Sequence, residues 1–118
     1  MKIGDLAAQS GLSPDTIRYY ERIGLMPLPV RDGSGRRDYG DDTLRWVAFL
    51  EKLRDTDMPV RERLVYARLR AKGPETAPER AALLRTHRER VRERLLALQA
   101  GLDLLDAKIE GYERGEIR

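Results

Sequence analysis

Arg18, Tyr19 and Tyr20 stand in a row on a segment that opens with Ser13-Pro14 and closes at Gly24, and Arg36-Arg37 follows Gly33-Ser34-Gly35 soon after. An arginine can donate two parallel hydrogen bonds to the O6 and N7 atoms of guanine, or grip a phosphate with the same fork. A tyrosine beside it offers a hydroxyl and a flat ring. Glycines before paired arginines let the backbone approach a polyanion closely while the guanidinium groups reach its oxygens. The chemistry this suggests is recognition of DNA by a short helix and a basic loop. In isolation each half has an ordinary explanation, because one tyrosine of a short helix commonly packs inward and surface arginines are usually just solvated. Together they point to DNA, with Arg18 and Tyr19 contacting bases or phosphates and Thr16, on the same turn, able to bond a phosphate. Tyr20 points elsewhere on the helix, so packing towards the hairpin and contact with DNA both stay open.

These residues need elements to hold them. Ile3, Leu6, Ala7 and Ser10 have helical spacing, and Gly11 supplies a stop. Ser13 is a good N-cap, Pro14 suits the first turn, Asp15 favours the positive helix start and Gly24 closes the helix. Two short helices joined by a tight glycine-containing turn predict a helix-turn-helix. Pro27 and Pro29 then force an extended chain. Asp32-Gly33 and Gly35 supply positive-φ turn chemistry for a hairpin with Val30-Arg31 and Arg37 to Tyr39 as strands. A third helix is expected from Asp41, capped by Asp41 or Asp42, with Leu44, Val47, Ala48, Leu50 and Leu53 inward. A fourth begins at Met58-Pro59, with Val60, Leu64, Ala67 and Leu69 inward.

Gly73-Pro74 marks a boundary between residues 1–72, the DNA-binding domain with its two supporting helices, and residues 73–118, a dimerisation helix and short tail. Val91, Leu95, Leu98, Leu102, Leu105, Ile109 and Tyr112 alternate spacings of four and three, with Leu84 continuing the series upstream. That is the a/d seam of a coiled coil. From Pro78 to Tyr112 such a helix would run roughly 50 Å at 1.5 Å per residue, and its seam needs a partner helix. A homodimer is expected, with Arg88 at an a position and Lys108 and Glu110 beside the seam influencing register and pairing.

Composition closes off other functions. The charged fraction is 36% and the apolar fraction 41%, which predicts amphipathic helices around a thin core. The net charge is +3, and the basic excess lies within residues 1–72, as expected if only that part faces phosphate. There is no cysteine, which removes disulfides, thiolate metal sites and thiol sensing. His87 is the only histidine; alone it is a poor metal ligand, and a surface or interface role is expected. No cofactor and no metal are expected. No nucleophile–base pair or phosphate loop suggests an enzyme. No apolar run approaches the roughly 20 residues that span a bilayer, and no signal peptide opens the chain, so a cytoplasmic protein without membrane contact is expected.

The run Thr-Ile-Arg-Tyr-Tyr-Glu-Arg-Ile-Gly-Leu at 16–25, with Gly-Arg-Arg-Asp-Tyr at 35–39, resembles the MerR family of bacterial transcription regulators. The resemblance implies a mainly α fold: a winged helix-turn-helix head followed by a long C-terminal helix that pairs antiparallel with its twin. It implies binding to double-stranded promoter DNA, distortion of an over-long promoter spacer, and an indirect effect on RNA polymerase. Arg37 and Tyr39 match the family's wing pattern Gly-Tyr-Arg-x-Tyr, while Arg36 replaces its first aromatic. Arg54 stands where the family has a phosphate-touching basic residue. Residues 38–60 and the ending Lys-Ile-Glu-Gly-Tyr are most similar to the aldehyde- and nitrosative-stress branch. There Lys52 replaces the usual sensing cysteine.

An effector site, if the chain has one, is expected to be apolar. It would lie between the third and fourth helices and the partner's long helix, near Trp46, Met58 and Tyr66. Lys52 is expected to be a solvated lysine, since Glu51 and Arg54 beside it argue against a dry pocket. Besides a regulator with an effector, two readings remain: a constitutive architectural DNA-bending protein, and a coiled-coil protein-interaction module.

Overall fold

Ser13 starts the second helix of the computed structural model as a true cap: its Oγ accepts from the Thr16 N–H at 3.1 Å. The described residues are 1–116. Helix α1 spans Ile3–Ser10 and α2 spans Pro14–Ile23. Gly11 (φ 78°) and Gly24 (φ 90°) end them in the left-handed region, where a Cβ would be strained. Strands β1 (Val30–Arg31) and β2 (Arg37–Asp38) pair antiparallel, with Val30 opposite Asp38 and Arg31 opposite Arg37. The return strand is one residue shorter than expected. The Tyr39 N–H donates to the Met1 carbonyl at 2.7 Å, outside the hairpin ladder. In the hairpin turn only Gly35 takes positive φ; Gly33 does not.

Helices α3 (Asp41–Asp55) and α4 (Val60–Lys72), a single 3-10 turn (Pro74–Thr76) and α5 (Ala77–Glu113) complete the chain. Gly40, not Asp41 or Asp42, is the N-cap of α3, and it makes no side-chain cap. The two aspartates lie in the first turn, where they favour the helix dipole.

By contacts the chain divides into two compact units, Met1–Ala81 and Ala82–Arg118. The first unit extends past Gly73 because Thr76 and Arg80 tie the following turn back to it. The Thr76 hydroxyl donates to the Leu69 carbonyl at 2.6 Å, and Arg80 donates to Thr76 Oγ1 and to the Gly73 carbonyl. Its core is built from Leu6, Ile17, Leu25, Met26, Trp46, Val47, Leu50, Leu53 and Met58, with Tyr66 and Ala67 from α4. Helix α1 packs on α2 and α3, and α3 on α4. Two expected core positions are outside. Ala48 and Val60 are exposed, while Trp46 and Tyr66 take the interior, because the larger rings fill the space between α3 and α4.

The second unit is the remainder of one continuous helix. Its seam leucines Leu95, Leu98, Leu102 and Leu105, with Ile109 and Tyr112, are each between 51% and 64% exposed. Leu84 and Val91 are half-buried. Near its end the chain turns at Gly115, and the Glu116 N–H donates to the Gly111 carbonyl at 2.9 Å. His87 is buried rather than on the surface.

Candidate nucleic-acid interface

Helix α2 has two faces. Ile17, Tyr20 and Glu21 point inward; Asp15, Arg18, Tyr19 and Arg22 point out. Arg18 Nη1 donates to Asp15 Oδ1 at 3.1 Å on this exposed face. Arg22 lies over the Tyr19 ring, 5.4 Å from its centroid, a cation–π contact on the exposed face. Arg22 went unnoticed in the sequence, although its i+4 relation to Arg18 places it on the same face. Thr16 is half-buried, and its hydroxyl lies 2.9 Å from that of Ser13.

The wing turn is closed by Asp32. Its Oδ1 accepts from the Ser34 N–H at 2.9 Å, the Ser34 hydroxyl at 2.6 Å and the Arg36 N–H at 3.0 Å, and its other oxygen pairs with Lys2. Lys2, then the Ser34 hydroxyl, hold this carboxyl well below the usual carboxylate range. The Arg36 side chain is exposed. Beside it Arg31 Nη1 donates to the Gly35 carbonyl at 2.7 Å, and Lys2, Arg31, Arg36 and Arg37 line one shallow basic concavity. Lys2 and Arg31 were not singled out in the sequence. Lys2 reaches the wing because Met1 before it is bound to Asp38 and Tyr39.

Two sequence-nominated residues turn inward. Tyr39 is 4% exposed and Tyr20 is 6% exposed, so neither ring faces solvent. Each hydroxyl donates to a carboxylate: Tyr39 to Glu21 Oε2 at 3.1 Å, Tyr20 to Glu51 Oε1 at 2.9 Å. They buttress the surface from behind, because tyrosines flanking an apolar core gain more from burying their rings than from solvation. Burial, and then the bond to Glu21, push the Tyr39 hydroxyl up to about 12. Tyr20 is raised for the same two reasons, with Glu51 as partner.

Each carboxylate also holds an arginine. Arg37 Nε lies 3.2 Å from Glu21 Oε1, close enough for an ion pair although the N–H does not point along the contact. Arg54 Nη1 donates to Glu51 Oε2 at 3.4 Å, and the Tyr20 hydroxyl, followed by Glu51, raises the Arg54 guanidinium further. The surface therefore stands on two units of one kind, Glu21–Tyr39–Arg37 and Glu51–Tyr20–Arg54. The first joins α2 to the wing and the second joins α2 to α3.

Elsewhere, Trp46 stacks on Tyr66 at 5.7 Å, its Nε1 donates to the Leu25 carbonyl at 2.8 Å, and Arg70 lies 4.3 Å from its ring centroid. Asp42, Arg45, Trp46, Phe49, Tyr66, Arg70 and Arg80 line an open cleft there. Met58 is buried in the core and is not among them. Lys52 is exposed on α3.

Residues 2–39, which contain this whole surface apart from Arg54, match the family described as MerR family regulatory protein. A crystal structure of a putative MerR family transcriptional regulator from Listeria monocytogenes superposes with a TM-score of 0.89 at 39% identity, covering 96% of this chain and 86% of that one. The chain belongs to the MerR family. A second MerR regulator, HiNmlR, described as lacking the sensor domain and solved bound to promoter DNA, superposes with a TM-score of 0.84 at 30% identity over 96% of this chain and 90% of that one. The HTH-type transcriptional regulator AdhR of Bacillus subtilis is 36% identical over 93 residues, 79% of this chain. The match spans 66% of that relative's own length. Among the described residues no helix is long and apolar enough to cross a membrane.

Proposed function

We propose that this MerR-family transcription regulator binds promoter DNA as a homodimer, reads a two-fold site with α2, and acts by distorting the spacer between promoter elements. The observation that carries the reading is that Arg18, Tyr19 and Arg22 stand exposed on α2, while Arg31 and Arg36 stand exposed on a wing that Glu21 ties to the same helix. Helix α2 enters the major groove, where Arg18 and Tyr19 meet base edges or phosphates and Thr16 a phosphate. Arg36 and Arg37 grip backbone phosphates on the wing side and Arg54 does so beside α3, while Tyr20 and Tyr39 hold these groups from beneath. The solved complex of the similar HiNmlR with promoter DNA supports promoter DNA as the partner.

The exposed heptad seam of α5 supports the dimer, because an apolar stripe this long gains by burial against a second copy. Two heads then read two half-sites in register. Deforming a short DNA site costs about 1–6 kcal/mol, which phosphate contacts from two heads can offset. RNA polymerase responds to the reshaped spacer rather than to direct contact.

Anisotropy titration on DNA from the gene's own upstream region and on a scrambled duplex, across salt concentrations, tests the reading. Preference for the upstream DNA with a steep salt dependence is expected. Equal affinity for both duplexes would overturn sequence-specific regulation. A fluorescent base analogue in the spacer, or in vitro transcription from a promoter with a shortened spacer, tests the distortion. An effector-free, constitutive DNA-bending role is the second reading. It is favoured by the burial of Met58 in the core and by the charged residues Asp42, Arg45, Arg70 and Arg80 that share the open cleft with Trp46 and Tyr66. Transcription that no candidate compound alters, with Trp46 fluorescence unchanged, would select it.

A further inference from the structure

We infer that Glu21 is a positioning residue for DNA reading: its carboxylate fastens the wing to α2 and aims Arg37, so that the two DNA-facing elements dock as one body. The inference rests on the DNA-binding reading above and deepens it.

Glu21 sits on the inward face of the reading helix, and its side chain is 2% exposed. Both of its partners come from the far strand of the wing or the residue after it. Oε2 accepts the Tyr39 hydroxyl at 3.1 Å, and Oε1 faces Arg37 Nε at 3.2 Å. A carboxylate this deeply enclosed carries a large desolvation penalty, which a neighbouring cation offsets. Swinging Arg37 away to a phosphate would leave that penalty uncompensated, although the Nε–H is not aligned on Oε1. It is 32% exposed, so part of the guanidinium still reaches solvent. A guanidinium has five N–H donors in a fixed fork. Its Nε can stay with Glu21 while its terminal nitrogens take a phosphate oxygen, and the buried end then fixes where the phosphate must be. A lysine, with a single ammonium on a flexible stem, cannot serve both ends in this fixed geometry.

The wing does not need Glu21 for its own shape. Asp32 closes the turn independently through Ser34 and Arg36. Loss of the Glu21 charge should therefore leave a formed hairpin, still tethered through Met1 and Lys2, in which Arg37 is no longer aimed. Glutamine keeps an acceptor for the Tyr39 hydroxyl, and Arg37, part of which already reaches solvent, can turn its charge outward, so the fold need not suffer. A merely structural role would move stability and DNA binding together. A positioning role moves them apart.

The test uses the full chain, thermal melts, and anisotropy on upstream and scrambled DNA with Glu21→Gln, Arg37→Ala, Arg37→Lys and the double variant Glu21→Gln/Arg37→Ala. Glu21→Gln is expected to melt at or above the wild-type temperature, yet to bind upstream DNA about tenfold more weakly and to lose roughly one unit of salt slope, the share of one phosphate. The double variant should bind no worse than Arg37→Ala alone. Arg37→Lys, which keeps the charge and should fold whatever happens to Glu21→Gln, is expected to lose the same slope as Arg37→Ala. Glu21→Gln binding with wild-type affinity, additive losses in the double variant, or a wild-type slope in Arg37→Lys would each overturn the positioning role alone. Wild-type protein that prefers neither duplex would overturn the DNA-reading assignment, and this inference with it.

Discussion

Replacing Leu98 and Leu105 by aspartate should separate the proposed dimer into monomers. In the isolated chain these leucines are 63% and 60% exposed. Full burial of a leucine contributes about 1.5–3 kcal/mol, so each has about 1–2 kcal/mol to gain from a partner helix. Two copies present four such side chains, and losing them costs about 4–7 kcal/mol before any charge is counted. That alone weakens the dimer by roughly a thousandfold or more, at 1.4 kcal/mol per factor of ten. An aspartate facing the partner adds the cost of burying or protonating its carboxyl. Light scattering at micromolar concentration should then report the 13.6 kDa single chain, and specific DNA binding should be lost with the second head. Leu96 is also exposed, at 71%, but it lies a residue off the seam, about 100° around the helix from Leu95. Leu96→Asp should leave the dimer intact. A double seam variant that keeps the mass of a dimer, or a Leu96 variant that loses it, would refute the register of the seam.

Arg18→Ala should cost roughly 1–3 kcal/mol more on the cognate site than on scrambled DNA if its guanidinium reaches a base edge, whereas equal losses would make it a backbone contact. Arg36→Ala should weaken binding almost uniformly across sequences and lower the salt slope by about one unit; a cognate-specific loss would contradict a phosphate role. The Tyr39 hydroxyl is raised from 10.0 to about 12, so the folded state holds this proton more tightly than the unfolded chain does. The stability linked to this proton is complete below the unfolded value and is lost as pH climbs through the folded one. Tyr39→Phe should therefore flatten the decline in melting temperature on the alkaline side, and an unchanged profile would count against the buried hydroxyl. Ser13→Ala removes the cap on the Thr16 N–H and should cost about 0.5–2 kcal/mol in chemical denaturation, with cognate binding falling only as the helix frays.

Where the determining interactions are local, the sequence alone was enough. Gly11, Ser13, Pro14 and Gly24 fixed the ends of α1 and α2, because caps and left-handed turns depend on residues within about one helical turn. The heptad spacing likewise identified the stripe of α5 that stands exposed, since helical periodicity sorts faces before any packing occurs. The basic hairpin was legible from its glycines and arginines, and Arg22 could have been found by spacing alone. The direction of Tyr20 and Tyr39 could not. Tyr20 could face either way and Tyr39 looks like a surface residue of a DNA-facing motif, yet their hydroxyls meet carboxylates 31 and 18 positions away. Ala48 and Val60 fit an apolar stripe, but the rings of Trp46 and Tyr66 filled the space instead. Lys2 meets Asp32 across 30 residues for the same reason. Spacing along a chain decides which residues share a face; only the packing of one element on another decides what that face meets, and so which side chains are left for DNA.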